Sequence, residues 1–248
     1  VEEGTVSVTL GTSGVVFAQS DEYRVEPNGI LHAFCHAVPG KWHLMGVMLS
    51  AAGSFQWYKN QFGSEEQKIE NEGGLNAYEL LTKGAGQVKA GSEGLFFLPY
   101  LSGERTPHPD PYARGCFIGM SLRHQKKHHT RAVIEGVSYG LNDSLSLMRD
   151  LGVHPNEIVL SGGGSRSTLW KQMLADVFAT PCAMVNAVEE AAYGAAILAA
   201  VGVGGFSSVE DACNSFIQKT ERITPGLDQE VYARNYPIYK SLYPSLKD

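Results

Sequence analysis

The sequence predicts an α/β domain with a mixed sheet flanked by helices. Three observations carry that expectation. Residues near the start alternate apolar and polar side chains with a period of two, as half-buried strands do. From Glu157 onward, short β-branched runs alternate with stretches of helical spacing. Glycine-bearing turns, Gly11-Thr12-Ser13-Gly14 and Ser161-Gly162-Gly163-Gly164, follow two of the expected strands directly.

Taken in order, Val6, Val8 and Leu10 alternate with Ser7 and Thr9, and the run resumes at Val15–Ala18 after the first glycine turn, which reads as a hairpin. Ile30–Val38 and Trp42–Met48, separated by Pro39-Gly40, extend the meander. Ser50–Phe62 then places Ala51, Phe55, Tyr58 and Phe62 at three- and four-residue intervals behind a serine that could cap a helix. Gly63–Gly94 is polar and reads as surface structure with one short amphipathic piece at Leu75–Thr82. Gly94–Leu101 is a strand candidate, and it leads into a long loop over Ser102–Gly115 stiffened by Pro107, Pro109 and Pro111. Thr130–Leu151 carries Val133, Val137, Leu141, Leu145 and Met148 at helical spacing and stops before Gly152. Glu157–Leu160 predicts a strand, Thr168–Phe178 a helix, Ala183–Asn186 a strand and Glu189–Val201 an alanine-rich buried helix. Val209–Thr220 and Asp228–Leu242 predict closing amphipathic helices.

Composition narrows the function. With 43% hydrophobic residues in 248, the chain can bury a sizeable core. Lys and Arg number 20 against 26 Asp and Glu, a formal charge of -6, so there is no basic surplus to grip a nucleic-acid backbone. No apolar stretch approaches the roughly 20 residues of a membrane span. A cytoplasmic location, without nucleic-acid or membrane partners, is the expectation. Cys35, Cys116, Cys182 and Cys213 have no metal-site spacing and are expected to be reduced and structural. The chain opens on Val1 and runs at once into strand pattern, as a piece of a longer protein would.

Several residues invite chemistry. A strand, three glycines and a helix in succession let the backbone approach a ligand and aim unpaired N–H groups at it; a tight strand-to-helix turn is the plain alternative. Gly11-Thr12-Ser13-Gly14 could wrap a phosphate with backbone and hydroxyl donors, or simply close a hairpin. Gly136-Val137-Ser138-Tyr139-Gly140 matches the hydrolase elbow in letters, but it lies inside an expected helix, where the elbow geometry is not available. His32, His36 and His43 fall on strand-like segments without an acidic partner and read as structural, and His128-His129 reads as the solvated start of a helix. In the loop Ser102–His108, Glu104 and Arg105 are expected to form a buried pair that fixes the loop, the alternative being that one of them faces a ligand.

At these residues the sequence resembles the C-terminal half of the FGGY carbohydrate kinases. The resemblance rests on Leu10-Gly11-Thr12-Ser13-Gly14-Val15, on the run from Phe34 to His43, on Phe97-Leu98-Pro99-Tyr100-Leu101-Ser102-Gly103-Glu104-Arg105-Thr106-Pro107, and on Ser161–Ser167 continuing through Trp170, Gln172, Ala175 and Asp176. The second and third segments are specific to the branch that phosphorylates D-xylulose. The resemblance covers residues 1–248. The family's second signature falls on Gly115–Met120 and Ala132–Glu135, with His129 in a slot that is usually apolar.

The resemblance implies an actin-like, ribonuclease-H-like ATPase domain that closes with a second such domain over a cleft. It implies ATP and Mg²⁺, with ATP held largely by this half and the sugar by a missing N-terminal domain. Gly11 and Thr12 would form the β/γ-phosphate turn, Gly162, Gly163 and Gly164 the adenosine loop, and Gly103 a loop position that approaches the nucleotide. Ser167 stands where relatives often have an Asn against the adenine. The base aspartate is expected upstream of Val1, since Glu2 and Glu3 do not match its motif, so no catalytic residue is assigned here and the chain is expected to be inactive alone. The implied reaction is D-xylulose to D-xylulose 5-phosphate. Alternatives are an FGGY kinase for glycerol, gluconate or ribulose, and a non-catalytic actin-like nucleotide-binding module. Apolar surface left by the missing domain would favour a homodimer.

Overall fold

The computed structural model describes residues 4–187 and 190–247. Nine strands and eight helices are found among them, and seven of the strands form one mixed sheet. The hairpin expected at the start is β1 (Val6–Leu10) and β2 (Gly14–Ser20), antiparallel with Leu10 opposite Gly14. The meander continues through β3 (His32–Cys35) and β4 (Trp42–Met48), with β4 inserted between β3 and β2. On the other side of β1 lie β7 (Ile158–Ser161) and β8 (Cys182–Val185), both parallel to it, and then the antiparallel edge strand β9 (Lys219–Ile223). The order is β3-β4-β2-β1-β7-β8-β9. A separate small pair joins β5 (Phe96–Leu98) to β6 (Cys116–Ile118).

The period-two pattern explains which face is covered. Val6, Val8 and Leu10 of β1, Val16 and Ala18 of β2, Leu44 and Met48 of β4 and Ile158 and Leu160 of β7 are buried. In one core with them are Val133, Ile134, Val137, Leu141, Leu145 and Met148 of the 25-residue helix α4 (Lys126–Asp150). The helix α5 (Thr168–Phe178), whose limits match its sequence pattern at both ends, packs beside α4. Ser167 caps it, its hydroxyl accepting from Trp170 N at 3.3 Å.

The structure departs from the sequence pattern at several places, each for a physical reason. The helix α1 (Ala52–Phe62) begins at Ala52 without a side-chain cap, because the Ser50 hydroxyl pairs with that of Ser102 at 3.0 Å. The stretch read as surface with one amphipathic piece holds two helices, α2 (Ser64–Asn71) and α3 (Ala77–Ala85). None of the α2 residues is buried, so it leaves no apolar stripe to detect. The helix α4 starts four residues earlier than its apolar period, and His128 is a buried capping residue, its Nδ1 accepting from Gln125 N at 2.9 Å, rather than a solvated one. The alanine-rich helix α6 (Glu190–Gly202) is mostly exposed: Ile197 is buried, whereas its neighbour Leu198 is 40% exposed. Glu189, its expected first residue, lies outside the described residues. Small side chains mark a helix that can be approached closely, which is not the same as one that is covered. The expected helix over 209–220 ends as α7 (Val209–Phe216), and Lys219–Ile223 pairs with β8 instead. The closing helix is α8 (Gln229–Leu246). Cys35 is exposed, so it does not share the structural role expected of the four cysteines, all of which are unpaired.

Candidate functional site

The parallel pairing of β1 with β7 decides where the two glycine turns go. Thr9 lies opposite Ser161, with their hydroxyls 2.9 Å apart, so the chain leaves both strands at the same edge of the sheet. This is the carboxyl end of neighbouring parallel strands, where open α/β sheets form their crevices. The turns touch through backbone. Gly162 has φ +83, and a Cβ there would come within 2.6 Å of the Leu10 carbonyl, so only glycine fits. Gly163 faces open space: a Cβ there would meet nothing within 4 Å. Gly163–Arg166 form a single 3-10 turn before α5, closed by the Ser165 hydroxyl donating to Gly162 O at 2.7 Å.

The first turn is held from behind. Ala52 N donates to Gly11 O at 2.9 Å, and Ala51 N and Gly53 N both donate to Thr12 O at 3.0 Å. The start of α1 is thereby laid against the turn, and a Cβ on Gly53 would stand 2.7 Å from Thr12 O. With their carbonyls occupied, Gly11 and Thr12 are fixed in place beside the cleft.

These elements enclose a cleft of about 1060 Å³. Gly11, Thr12, Gly163, Gly164 and Ser167 line it together, so five of the seven predicted binding residues converge on one groove. Gly162 stands behind it as the contact with Leu10. Gly103 lines neither this cleft nor its neighbour. It has φ +82 and packs so closely on Pro111 that a Cβ would lie 2.8 Å from the Pro111 carbonyl oxygen, which makes it a loop-shaping glycine. The far wall comes from the amphipathic piece expected at Leu75–Thr82 and the residue after it: Asn76, which caps α3 by accepting from Tyr78 N at 2.9 Å, followed by Tyr78, Glu79, Thr82 and Lys83. Gln56 of α1, Arg166 and Thr168 complete the wall. Gln56 follows Phe55 on α1 and could have been noticed as an exposed amide one helical turn past Gly53; the α3 residues gave no comparable signal. A smaller recess of about 400 Å³ shares Thr12, Gly53 and Gln56 with the cleft and extends past them to Trp57, Asn60 and Ser102. The start of α5 adds a positive helix end and open N–H groups to this wall, which suits an anionic ligand.

Other sequence candidates resolve differently. Ser138 is fully buried inside α4, donating to Ile134 O at 2.8 Å and accepting from Trp170 Nε1 at 3.1 Å, so it has no approach to a substrate. His43 stacks on Phe17 with ring centres 4.6 Å apart, and burial pushes its pKa below the ordinary range. The expected Glu104–Arg105 pair does not form. Glu104 is buried and accepts backbone N–H groups, while the Arg105 side chain is exposed.

The sequence pattern of the FGGY family of carbohydrate kinases, C-terminal domain, matches residues 6–203. The xylulose kinase of Staphylococcus epidermidis is 38% identical over all of this chain, which covers 48% of that protein. The gluconokinase of Bacillus subtilis is 34% identical over 98% of the chain, again covering 47% of the relative. Among solved structures, a xylulose kinase from Brucella ovis superposes with a TM-score of 0.85 and 36% identity, over 100% of this chain and 50% of that one. The chain therefore spans about half the length of the curated relatives it matches, and its fold is that of an actin-like ATPase domain.

Proposed function

The chain belongs to the FGGY family of carbohydrate kinases, and from that premise we propose that residues 1–248 are the ATP-binding half of an ATP-dependent pentulose kinase. Joined to its sugar-binding half, it would convert D-xylulose to D-xylulose 5-phosphate. The observation that carries this reading is the convergence of two turns, 150 residues apart in sequence, on one cleft. In this reading, Gly11 and Thr12 receive the β- and γ-phosphates, and Gly162, Gly163 and Gly164 give the nucleoside a side-chain-free approach. Ser167, occupied as the cap of α5, fixes that helix's open N–H groups against the ligand. Gly103 acts through loop shape, keeping Ser102 at the smaller recess.

Among the described residues no group of three or more His, Cys, Asp or Glu could hold a metal ion. Magnesium keeps several waters and needs few protein carboxylates beside the phosphates of a nucleotide, so it is taken as part of the MgATP substrate, held through phosphate oxygens and water. Glu79 is the one carboxylate among the residues that line the cleft and its recess, and it stands on the far wall rather than beside Thr12. That placement supports a general base contributed by the other half. This half's work is then positioning: backbone N–H groups and a helix end stabilise the charge on the transferring phosphoryl group, and closure of the two halves keeps water out.

The test is an acceptor panel. The chain alone and the two-domain protein are assayed with MgATP against D-xylulose, D-ribulose, gluconate and glycerol. D-xylulose turnover by the two-domain protein, with none by the chain alone, is expected. Turnover by the isolated chain at a comparable rate would refute the upstream base, and preference for gluconate would move the reading to the gluconokinase branch that the Bacillus subtilis relative represents.

A further inference from the structure

Loop residues 102–110 are stitched to the end of β4. Thr106 N donates to Val47 O at 3.1 Å, and Val47 N donates back to Thr106 Oγ1 at 3.2 Å. The central stitch is Glu104, only 3% exposed, whose Oε1 accepts from Leu49 N at 3.0 Å and from Arg105 N at 2.7 Å. Leu49 is two residues before Ala51, the first of the three residues whose N–H groups hold the carbonyls of Gly11 and Thr12. A short path thus runs from a buried carboxyl by hydrogen bond to Leu49, along the backbone through Ser50, and by hydrogen bonds again to the proposed phosphate turn. The second oxygen is different: Glu104 Oε2 is buried and has no hydrogen-bond partner among the described residues.

We propose that Glu104 is the positioning residue of the Gly11–Thr12 turn, setting through Leu49 N how firmly the start of α1 holds that turn against the cleft. Oε2 is the atom at which a proton can be carried without disturbing either hydrogen bond, so the strength of the hold follows the charge of the group. A carboxylate accepts from N–H roughly twice as strongly as a neutral acid does. Burial is the main cause that raises Glu104, and the charge of Asp143 on α4 adds to it. The Arg105, Leu49 and Thr106 backbone groups pull the other way, leaving the pKa at about 7. The titratable groups that face it are Asp143, Tyr100 and, from α8, Tyr239. Above pH 7 the hold on Leu49 N tightens even as ionisation of the buried acid works against the fold as a whole. A residue that merely filled space would not couple local order and global stability with opposite signs.

The proposal rests on the nucleotide reading only for its consequence, so it is tested first without nucleotide. Amide exchange at Leu49 and Ala51–Gly53 is measured at pH 6 and pH 8, corrected for intrinsic rates, in the wild-type chain, Glu104→Gln and Asp143→Asn. The expected result is protection at Leu49 that rises about tenfold with pH in the wild type, in line with a charge-assisted bond replacing a neutral one. Protection should be flat in Glu104→Gln, which keeps an acceptor but cannot ionise. Asp143→Asn should keep the rise and shift its midpoint to lower pH, which gives an independent answer should the glutamine variant fold poorly. Flat protection in the wild type, or the same rise in Glu104→Gln, overturns the proposal. The exchange is then repeated in the two-domain protein with MgATP. Absence of any response there in the wild type refutes the nucleotide reading and leaves the exchange result on Glu104 standing.

Discussion

Helix α4 borders two regions that each bury a carboxylate, and they treat it in opposite ways. At one, Glu135 accepts from Gly91 N, Ser92 Oγ and Arg131 Nε, all at 2.8 Å, and from Tyr232 OH at 3.3 Å. Arg131 is itself satisfied by Val88 O and the Tyr232 hydroxyl, both at 2.7 Å. Burial raises the Glu135 pKa and the adjacent guanidinium opposes the rise. At the other, Glu104 has both its donors on one oxygen, and Asp143 has Tyr236 OH at 2.6 Å; burial leaves each at a pKa of about 7. Saturation with donors makes the first region a fixed brace for the turn at Ser92–Gly94. Incomplete satisfaction makes the second responsive to pH, and the donor it holds, Leu49, lines the smaller recess. Burial alone does not say what a charged group does; the count and placement of its donors does.

Four measurements sharpen or break that contrast. Glu135→Ala leaves Arg131, buried at 4% exposure, with only the half-exposed Asp228 carboxylate 3.6 Å away as a countercharge and should cost about 3–5 kcal/mol in urea unfolding. A cost as small as that of Glu104→Gln would erase the distinction between the regions. Next is the pH dependence of the wild type. The folded pKa of Glu104 lies above its ordinary value of 4.5, so the folded state keeps a proton that the unfolded chain has released. Its stabilisation is full below the ordinary carboxyl range and is lost as pH rises through 7, on the order of 3 kcal/mol, with Asp143 acting in the same direction. The double variant Glu104→Gln, Asp143→Asn should flatten that slope between pH 5 and 8; an unchanged slope would place its source elsewhere. Tyr236→Phe removes the hydrogen-bond donor to Asp143 and should cost about 2 kcal/mol at pH 8, where the carboxylate is charged, and less at pH 5. The smallest effect is expected from Ser92→Ala, about 1 kcal/mol, because Glu135 keeps its other donors.

Much of this architecture is legible in the amino-acid order, and the exceptions share a cause. The β1–β2 hairpin and both ends of α5 follow from side-chain period and turn chemistry, which act over a few residues. The meeting of the two glycine turns is implied by the family resemblance alone; physically it requires the parallel pairing of β1 and β7, a contact that no local pattern encodes. The helix α2 buries none of its residues, and β9 shows four exposed residues out of five, so neither carries an apolar period. The far wall of the cleft lies on α3, whose outward residues Glu79 and Lys83 read as ordinary solvated surface until the cleft is seen. The same limit explains Glu104: an acid next to an arginine in sequence suggests a pair, whereas the fold turns Arg105 outward and gives the acid the backbone N–H of Leu49, just past β4 and 55 positions away.

The bare contact between Gly162 and Leu10 has a mechanical consequence. With no side chain between them to absorb displacement, the two lips of the cleft are coupled rigidly, and the aperture breathes as a unit instead of lip by lip. Correlated relaxation at Gly11 and Gly163 is the readout, and independent motion at the two glycines would show that the coupling is absent.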